Sequence, residues 1–261
     1  MNDRHHYMDL FKVTMPQLEK TIATALSGGG DYCDLYFEHT TFFNLLLKDG
    51  VVSSGGFHTD YGVGIRVLKG EKTGYAYSEN TEMQDMLKAA EAAGAIATGA
   101  AGSRAYSPVM DVRHDLYPME RNWRDYGADC FLPYLKKIEK EIFDRDGRII
   151  KVIVRMSDSV SDIMMYNSLG ELTCDTRPMG SISVSAVFEQ DGRTENKSAS
   201  RSFRMGAELA SETLAKELAD DIVKGIDARF EARRPKGGQM SVVMGAGASG
   251  ILLHEAMGHA F

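Results

Sequence analysis

The sequence predicts an α+β fold, antiparallel sheets flanked by helices, on three observations. Two stretches alternate apolar with polar or small residues: Tyr61, Val63, Ile65 and Val67, then Ile182, Val184, Ala186 and Phe188. A period of two marks a half-buried strand. Three other stretches repeat apolar residues every three or four positions: Leu18, Ile22 and Leu26; Phe131, Leu135, Ile138 and Ile142; Leu214, Leu218, Ile222 and Ile226. These are helix faces. Between them, Asp49-Gly50 and Asp191-Gly192 favour the tight turns of hairpins, which join antiparallel strands. Hairpins bracketed by helices give an α+β layout.

In chain order, the polar opening Met1-Asn2-Asp3-Arg4-His5-His6 reads as a frayed terminus. Thr14 and Gln17 form a capping box for the first helix, which Ser27-Gly28-Gly29-Gly30 stops. Strands follow over 32–38 and 42–47. Val51-Val52 starts the return strand, and Gly55-Gly56 ends or bulges it. The small face of the next strand, Gly62 and Gly64, predicts close approach of another backbone. A turn at 69–72 leads to a strand over 73–77. Thr81 with Gln84 caps a second helix.

Residues 97–122 lose all periodicity and are punctuated by Gly99, Gly102, Pro108 and Pro118. Within them, His114 and Asp115 read as solvated loop residues. The second half repeats the layout. A helix over 130–143 precedes a strand over 148–156, with Ile150, Val152, Val154 and Met156 on one face. A strand over 162–166 reaches the Asn167-Ser168-Leu169-Gly170 turn, and strands over 171–176, 182–188 and 194–203 follow. The last apolar stripe marks one long helix stopped before Pro235. The expected organisation is a first α+β module over 1–97, a connection over 98–122 and a second module over 123–234. A strand-turn-helix over 235–261 would then open a further domain. The halves share negligible identity, so a duplicated α-β-α module and a coincidental layout both stay open.

Composition excludes several classes. The 261 residues carry 37 acidic against 30 basic side chains, a formal charge of −7. Direct nucleic-acid binding usually rests on a basic patch, which this balance disfavours. No run approaches the 18 apolar residues of a membrane span, and the start lacks an apolar signal core. Cys33, Cys130 and Cys174 are odd in number and widely spaced. They read as small buried hydrophobes in a reducing, cytoplasmic setting rather than a disulfide frame.

The chemistry concentrates in the last stretch. Met240-Ser241-Val242-Val243-Met244 reads as a buried strand, and Gly245-Ala246-Gly247-Ala248-Ser249-Gly250 as a turn into a helix. Gly245, Gly247 and Gly250 also match the dinucleotide fingerprint. That fingerprint requires a further strand and an acidic residue about 20 positions on, which the sequence does not supply. On the helix stand His254, Glu255 and His259. Imidazoles suit zinc, and a neighbouring glutamate can serve as general base for its water. The familiar zinc-peptidase pattern spaces its histidines four apart on one helix face. Five apart, at about 100° per residue, they diverge by about 140°. Met257-Gly258 must therefore end, widen or kink the helix, which a glycine tolerates.

The run from Pro235-Lys236-Gly237-Gly238-Gln239-Met240 through His254-Glu255-Ala256-Met257-Gly258-His259 resembles the signature of the TldD/PmbA family, its TldD branch above all. Supporting stretches are Gly62-Val63-Gly64-Ile65-Arg66-Val67, Gly74-Tyr75-Ala76-Tyr77-Ser78, Asn167-Ser168-Leu169-Gly170 and Asp175-Thr176-Arg177-Pro178. The resemblance implies a zinc metallopeptidase, also called a modulator of DNA gyrase. It acts on unfolded or extended peptides in the cytoplasm, as a heterodimer with a PmbA/TldE-like subunit. It makes His254 and His259 metal ligands, Glu255 the catalytic base, and a cysteine in a domain beyond Phe261 the third ligand. Cys33, Cys130, Cys174, His39 and His58 are formal substitutes, none at ligand spacing. On this reading the chain is the N-terminal portion of such a subunit, inactive alone, from a truncated or split frame. The alternative is a non-catalytic module that docks a partner or substrate. The pair Tyr75 and Tyr77 could serve that role, although ordinary sheet packing explains them as well.

Overall fold

The structure, a computed structural model, describes residues 4–96, 110–111, 116–233 and 236–260. It divides into two compact units, Met1–Ile226 and Asp227–Phe261.

The first unit is built on a seven-stranded sheet ordered β3-β2-β1-β5-β6-β4, with β7 also pairing β6. The strands are β1 (Tyr32–Lys48), β2 (Val51–Lys69), β3 (Lys72–Ser78), β4 (Met110–Asp111), β5 (Ile149–Asn167), β6 (Glu171–Gln190) and β7 (Arg193–Phe203). Among the described residues only the short β4 pairs in parallel, and the other pairings are antiparallel. The expected pairs of short strands are single long ones. β1 stays in unbroken register with β5 from Asp34↔Asn167 to Lys48↔Ile153. The polar middles, such as His39-Thr40-Thr41 and Ser157-Asp158-Ser159, resemble strand ends in sequence. Side-chain polarity reports what a face meets, whereas ladder continuity depends on backbone partners, and here these continue. The β1–β5 pairing also joins the two halves of the sequence in one sheet.

Two irregularities move side chains. In the β1–β2 hairpin, register shifts between Leu46 and Leu47, so Ser53 is the extra residue, not Gly55 or Gly56. A second shift lies between Ile149 and Lys151. It turns Ile149 inward and leaves Ile150 54% exposed, against the expected common face with Val152.

Helices cover one face. α1 (Arg4–Phe11), α2 (Met15–Leu26) and α3 (Met83–Gly94) bury Tyr7, Phe11, Leu18, Ile22 and Met86 against Leu35, Phe37, Ile65, Met164 and Tyr166. Farther along the same strand faces, Leu45, Leu47, Val154 and Met156 are buried. There α4 (Ala128–Phe143) contacts β1 and β5, and α5 (Glu212–Val223) contacts α4 and β6. Of the opening expected to fray, Arg4, His5 and His6 are helical, because Tyr7 and Phe11, four apart, give α1 a buried stripe; both are fully buried.

Gln17 accepts from the Thr14 N–H at 2.8 Å, as its capping role requires. Thr81 does not cap α3; Glu82 holds that position. Thr81 is buried instead, donating to the Phe11 carbonyl at 2.7 Å and bonding the Tyr61 hydroxyl at 2.9 Å. The expected long final helix breaks at Gly225, whose φ of +72° ends α5 before α6 (Ile226–Glu231). Gly62 meets the expected backbone, since a Cβ there would lie 2.5 Å from the Ser78 carbonyl oxygen. Tyr75 and Tyr77 are 64% and 71% exposed, and Tyr75 lies over Gly64, where a Cβ would come 2.5 Å from its hydroxyl. The segment with His114 and Asp115 lies outside the described residues. No helix among the described residues is long and apolar enough to cross a membrane.

Candidate metal centre

The second unit carries His254 and His259. Residues 240–244 are not a buried strand: Val243 is 97% exposed. A strand needs a ladder partner for its backbone, and the described residues of this unit contain no other strand. Gly247, at φ +102°, turns the chain into α7 (Ala248–Leu253). That conformation suits glycine. The Ser249 hydroxyl donates back to the Gly245 carbonyl across the turn.

From His254 to Gly258 the helix widens into a π turn. The His259 N–H donates to the His254 carbonyl at 3.2 Å, a bond spanning five residues rather than four. The extra residue per turn brings position 259 back over position 254. Helix widening is thus the device that reconciles the spacing. The two imidazole centroids lie 4.6 Å apart, with planes at 70°. His259 Nε2 stands 3.7 Å from Glu255 Oε2, and both side chains are about two-thirds exposed, at 65% and 63%. A Cβ at Gly258 would lie 3.2 Å from His254 Nδ1, so glycine leaves room for that ring.

This donor set fits a metal. One atom each from His254, Glu255 and His259 lies within 4.8 Å of the others. Ligands about 2 Å from a common ion are at most about 4 Å apart. Small rotations of exposed side chains close that difference. Two imidazoles suit zinc and other borderline divalent ions, and a carboxylate beside them suits a base for the ion's water.

His39, His58, Cys33 and Cys174 occupy structural places in the first unit. His58 stacks on Phe42 at 4.4 Å. His39 stands 3.6 Å from Asp162. Cys33 and Cys174 are buried, and burial pushes the Cys33 thiol up to about 12. Cys130 is exposed, contrary to expectation, because it precedes Phe131, where the buried stripe of α4 begins.

Sequence reasoning missed a polar group set into the helix-covered face of the sheet. Arg124 reaches Asp162 at 2.7 Å and donates to Thr41 Oγ1 at 3.1 Å and the Val160 carbonyl at 2.9 Å. Thr176 donates to Asp162 at 2.7 Å and bonds the Tyr7 hydroxyl at the same distance. Asp158 lies one inward step from Val160. The available signal was phase: Asp158 and Asp162 alternate with Met156, Val160 and Met164 on the apolar side of β5.

Comparison with known proteins agrees with this architecture. The family model described as PmbA/TldA metallopeptidase domain 1 matches residues 33–97, and that described as the PmbA/TldA metallopeptidase central domain matches 122–230. A metalloprotease TldD homolog of Haemophilus influenzae is 30% identical over 236 residues, covering 88% of this chain and 49% of that protein. Its counterpart in Buchnera aphidicola from Acyrthosiphon pisum is 26% identical over 240 residues, with the same coverage. The chain spans about half the length of these curated relatives. Among solved structures, a protein described as a modulator of a DNA gyrase from Thermotoga maritima shares the fold. Its TM-score is 0.67 at 18% identity, over 86% of this chain and 50% of that one. TldE from Thermococcus kodakarensis does so with a TM-score of 0.64 at 14% identity, over 81% and 47%. The matched domains run along one shared sheet and account for most of the sequence, and the protein belongs to the PmbA/TldD metallopeptidase family.

Proposed function

We propose that this chain is the N-terminal part of a TldD-like zinc metallopeptidase subunit that hydrolyses unfolded or extended peptides. One observation carries the reading: the π turn that gathers His254, Glu255 and His259. His254 and His259 hold the ion. When bound, zinc supplies Lewis acidity toward the scissile carbonyl and a water of lowered pKa. Glu255 takes a proton from water and returns it to the leaving amine. Catalytic zinc usually has three protein ligands. The third, a cysteine, comes from the half of the relatives' length that this chain does not span. A PmbA/TldE-like subunit is the proposed partner, and the cytoplasm, with free thiols, the proposed setting.

With two ligands, the 1–261 chain should bind zinc weakly and cleave no peptide. Equilibrium dialysis should show that binding lost in His254→Ala and His259→Ala but kept in Glu255→Gln. In a protein carrying the remaining half, Glu255→Gln should keep zinc and lose peptide hydrolysis by roughly a hundredfold or more. Unchanged zinc uptake in both histidine variants would overturn the ligand assignment. Loss of zinc in Glu255→Gln would make Glu255 a ligand rather than the base.

The docking alternative draws on a hollow on the sheet face opposite the helices, lined by Tyr36, Glu38, Asp60, Tyr75 and Tyr77. A stable complex with a TldE-like subunit, formed without metal and unaffected by either histidine variant, would favour it.

A further inference from the structure

A second site lies wholly within the first unit and is independent of the metal reading. The short 3-10 turn Trp123–Asp125 and strands β1, β2 and β5 line a half-open cavity of about 360 Å³. Phe43, Phe57, Trp123 and Tyr126 give it aromatic walls, and Asp158 lines it too. The register builds it: Phe43 and Gly180 flank Asp158 on neighbouring strands. Gly180 has no side chain, and the Trp123 ring fills that space; a Cβ there would lie 2.4 Å from the indole. The Trp123 N–H donates to the Met205 carbonyl at 2.8 Å, fixing the wall.

Asp158 is only 9% exposed, and its Oδ2 has no hydrogen-bond partner. The nearby cation is occupied elsewhere, since Arg124 spends its guanidinium on Asp162, Thr41 and Val160. Burial alone pushes the Asp158 carboxyl up to about 7. Buried polar atoms are nearly always paired, and an unpaired carboxyl in a cleft marks a candidate functional site.

We propose that this cavity binds an organic ammonium, a protonated amine on a short apolar stem, with the cation against Asp158 and the stem among Phe43, Phe57, Trp123 and Tyr126. Aromatic faces attract cations, and the Asp158 carboxylate at the cavity wall accepts the ammonium hydrogen bond, with its buried Oδ2 left without another partner to hold it. An anion would meet Asp158 head-on. The amine can belong to a small molecule or to a lysine side chain, and the two differ in the group at the far end of the stem.

Trp123 is the only tryptophan, so its fluorescence reads the cavity directly. The 1–261 chain is titrated at pH 8 with n-butylamine, with 1-butanol, and with a blocked lysine peptide. Saturable change with n-butylamine is expected, about tenfold or more weaker with 1-butanol and in Asp158→Asn. Tighter binding of the lysine peptide than of n-butylamine identifies a peptide source, and the reverse a small amine. Affinity of the wild type should fall between pH 8 and pH 5 as Asp158 takes up a proton. Arg124, Asp125 and Tyr126 also line the cavity, and His58 lines a hollow that Asp158 also borders. Asp158→Asn should therefore flatten the pH profile, which a histidine origin would leave intact. Equal binding of 1-butanol, unchanged binding in a folded Asp158→Asn, or no saturable change with either amine overturns the proposal. Should Asp158→Asn fail to fold, the comparison of amine with alcohol on the wild type decides alone.

Discussion

Asp158 illustrates how one side chain can oppose the fold that holds it. Burial disfavours its charge and pushes the folded carboxyl from an ordinary 3.8 up to about 7. The folded state therefore binds more protons than the unfolded state between those values. Stability contributed by this group falls as pH rises through that window. Asp158→Asn should raise the melting temperature more at pH 8 than at pH 4.5, by a few degrees, in thermal scans at both pH values. A gain independent of pH would assign the effect to packing. Gly258 is the corresponding position in the second unit. Gly258→Ala would crowd His254 Nδ1 across 3.2 Å. Zinc affinity should drop several-fold with the melting transition unmoved, measured by dialysis and circular dichroism.

Helix ends and strand contacts were less legible than helix faces. The apolar stripes of α2, α4 and α5 could be read directly, because burial of one face imposes the helical period. Thr81 could not be placed the same way. Its spacing to Gln84 satisfies a capping box, yet the end of α1 offers the Phe11 carbonyl, and a tertiary bond replaced the local one. Thr81→Val should cost about 1–3 kcal/mol in denaturant unfolding, through loss of the bond to the Phe11 carbonyl, while the Tyr61 hydroxyl keeps its bond to the Leu10 carbonyl. Gly180 tests the seat of Trp123. Gly180→Ala would bring a methyl to 2.4 Å from the indole, costing about 1–3 kcal/mol and shifting tryptophan emission. Shared ligation by the terminal histidines would require the helix to depart from regularity, and the helix does depart, as a π turn. Whether the helix would end, kink or widen was not in the spacing, because all three relieve the same divergence.

The first unit has one sheet, and β1 of the N-terminal half pairs along its length with β5 of the C-terminal half. Ile22→Ala and Leu135→Ala, in helices from opposite halves, should therefore lower one common transition, each by about 2–5 kcal/mol. Two separate transitions by fluorescence and circular dichroism would show that the halves fold independently. The sequence by itself determined the α+β class, most helix faces, the hairpin turns and the cluster of His254, Glu255 and His259. Each depends on local period or spacing, which a chain carries in its own order. Only the tertiary structure decided that paired strands fuse into long ones, that Tyr75 and Tyr77 face solvent, and that Asp158 and Asp162 lie on the covered side. Those outcomes depend on which backbone lies alongside and which face is covered, and both are set by residues outside the local window; for β1 and β5 the partner lies more than a hundred positions away.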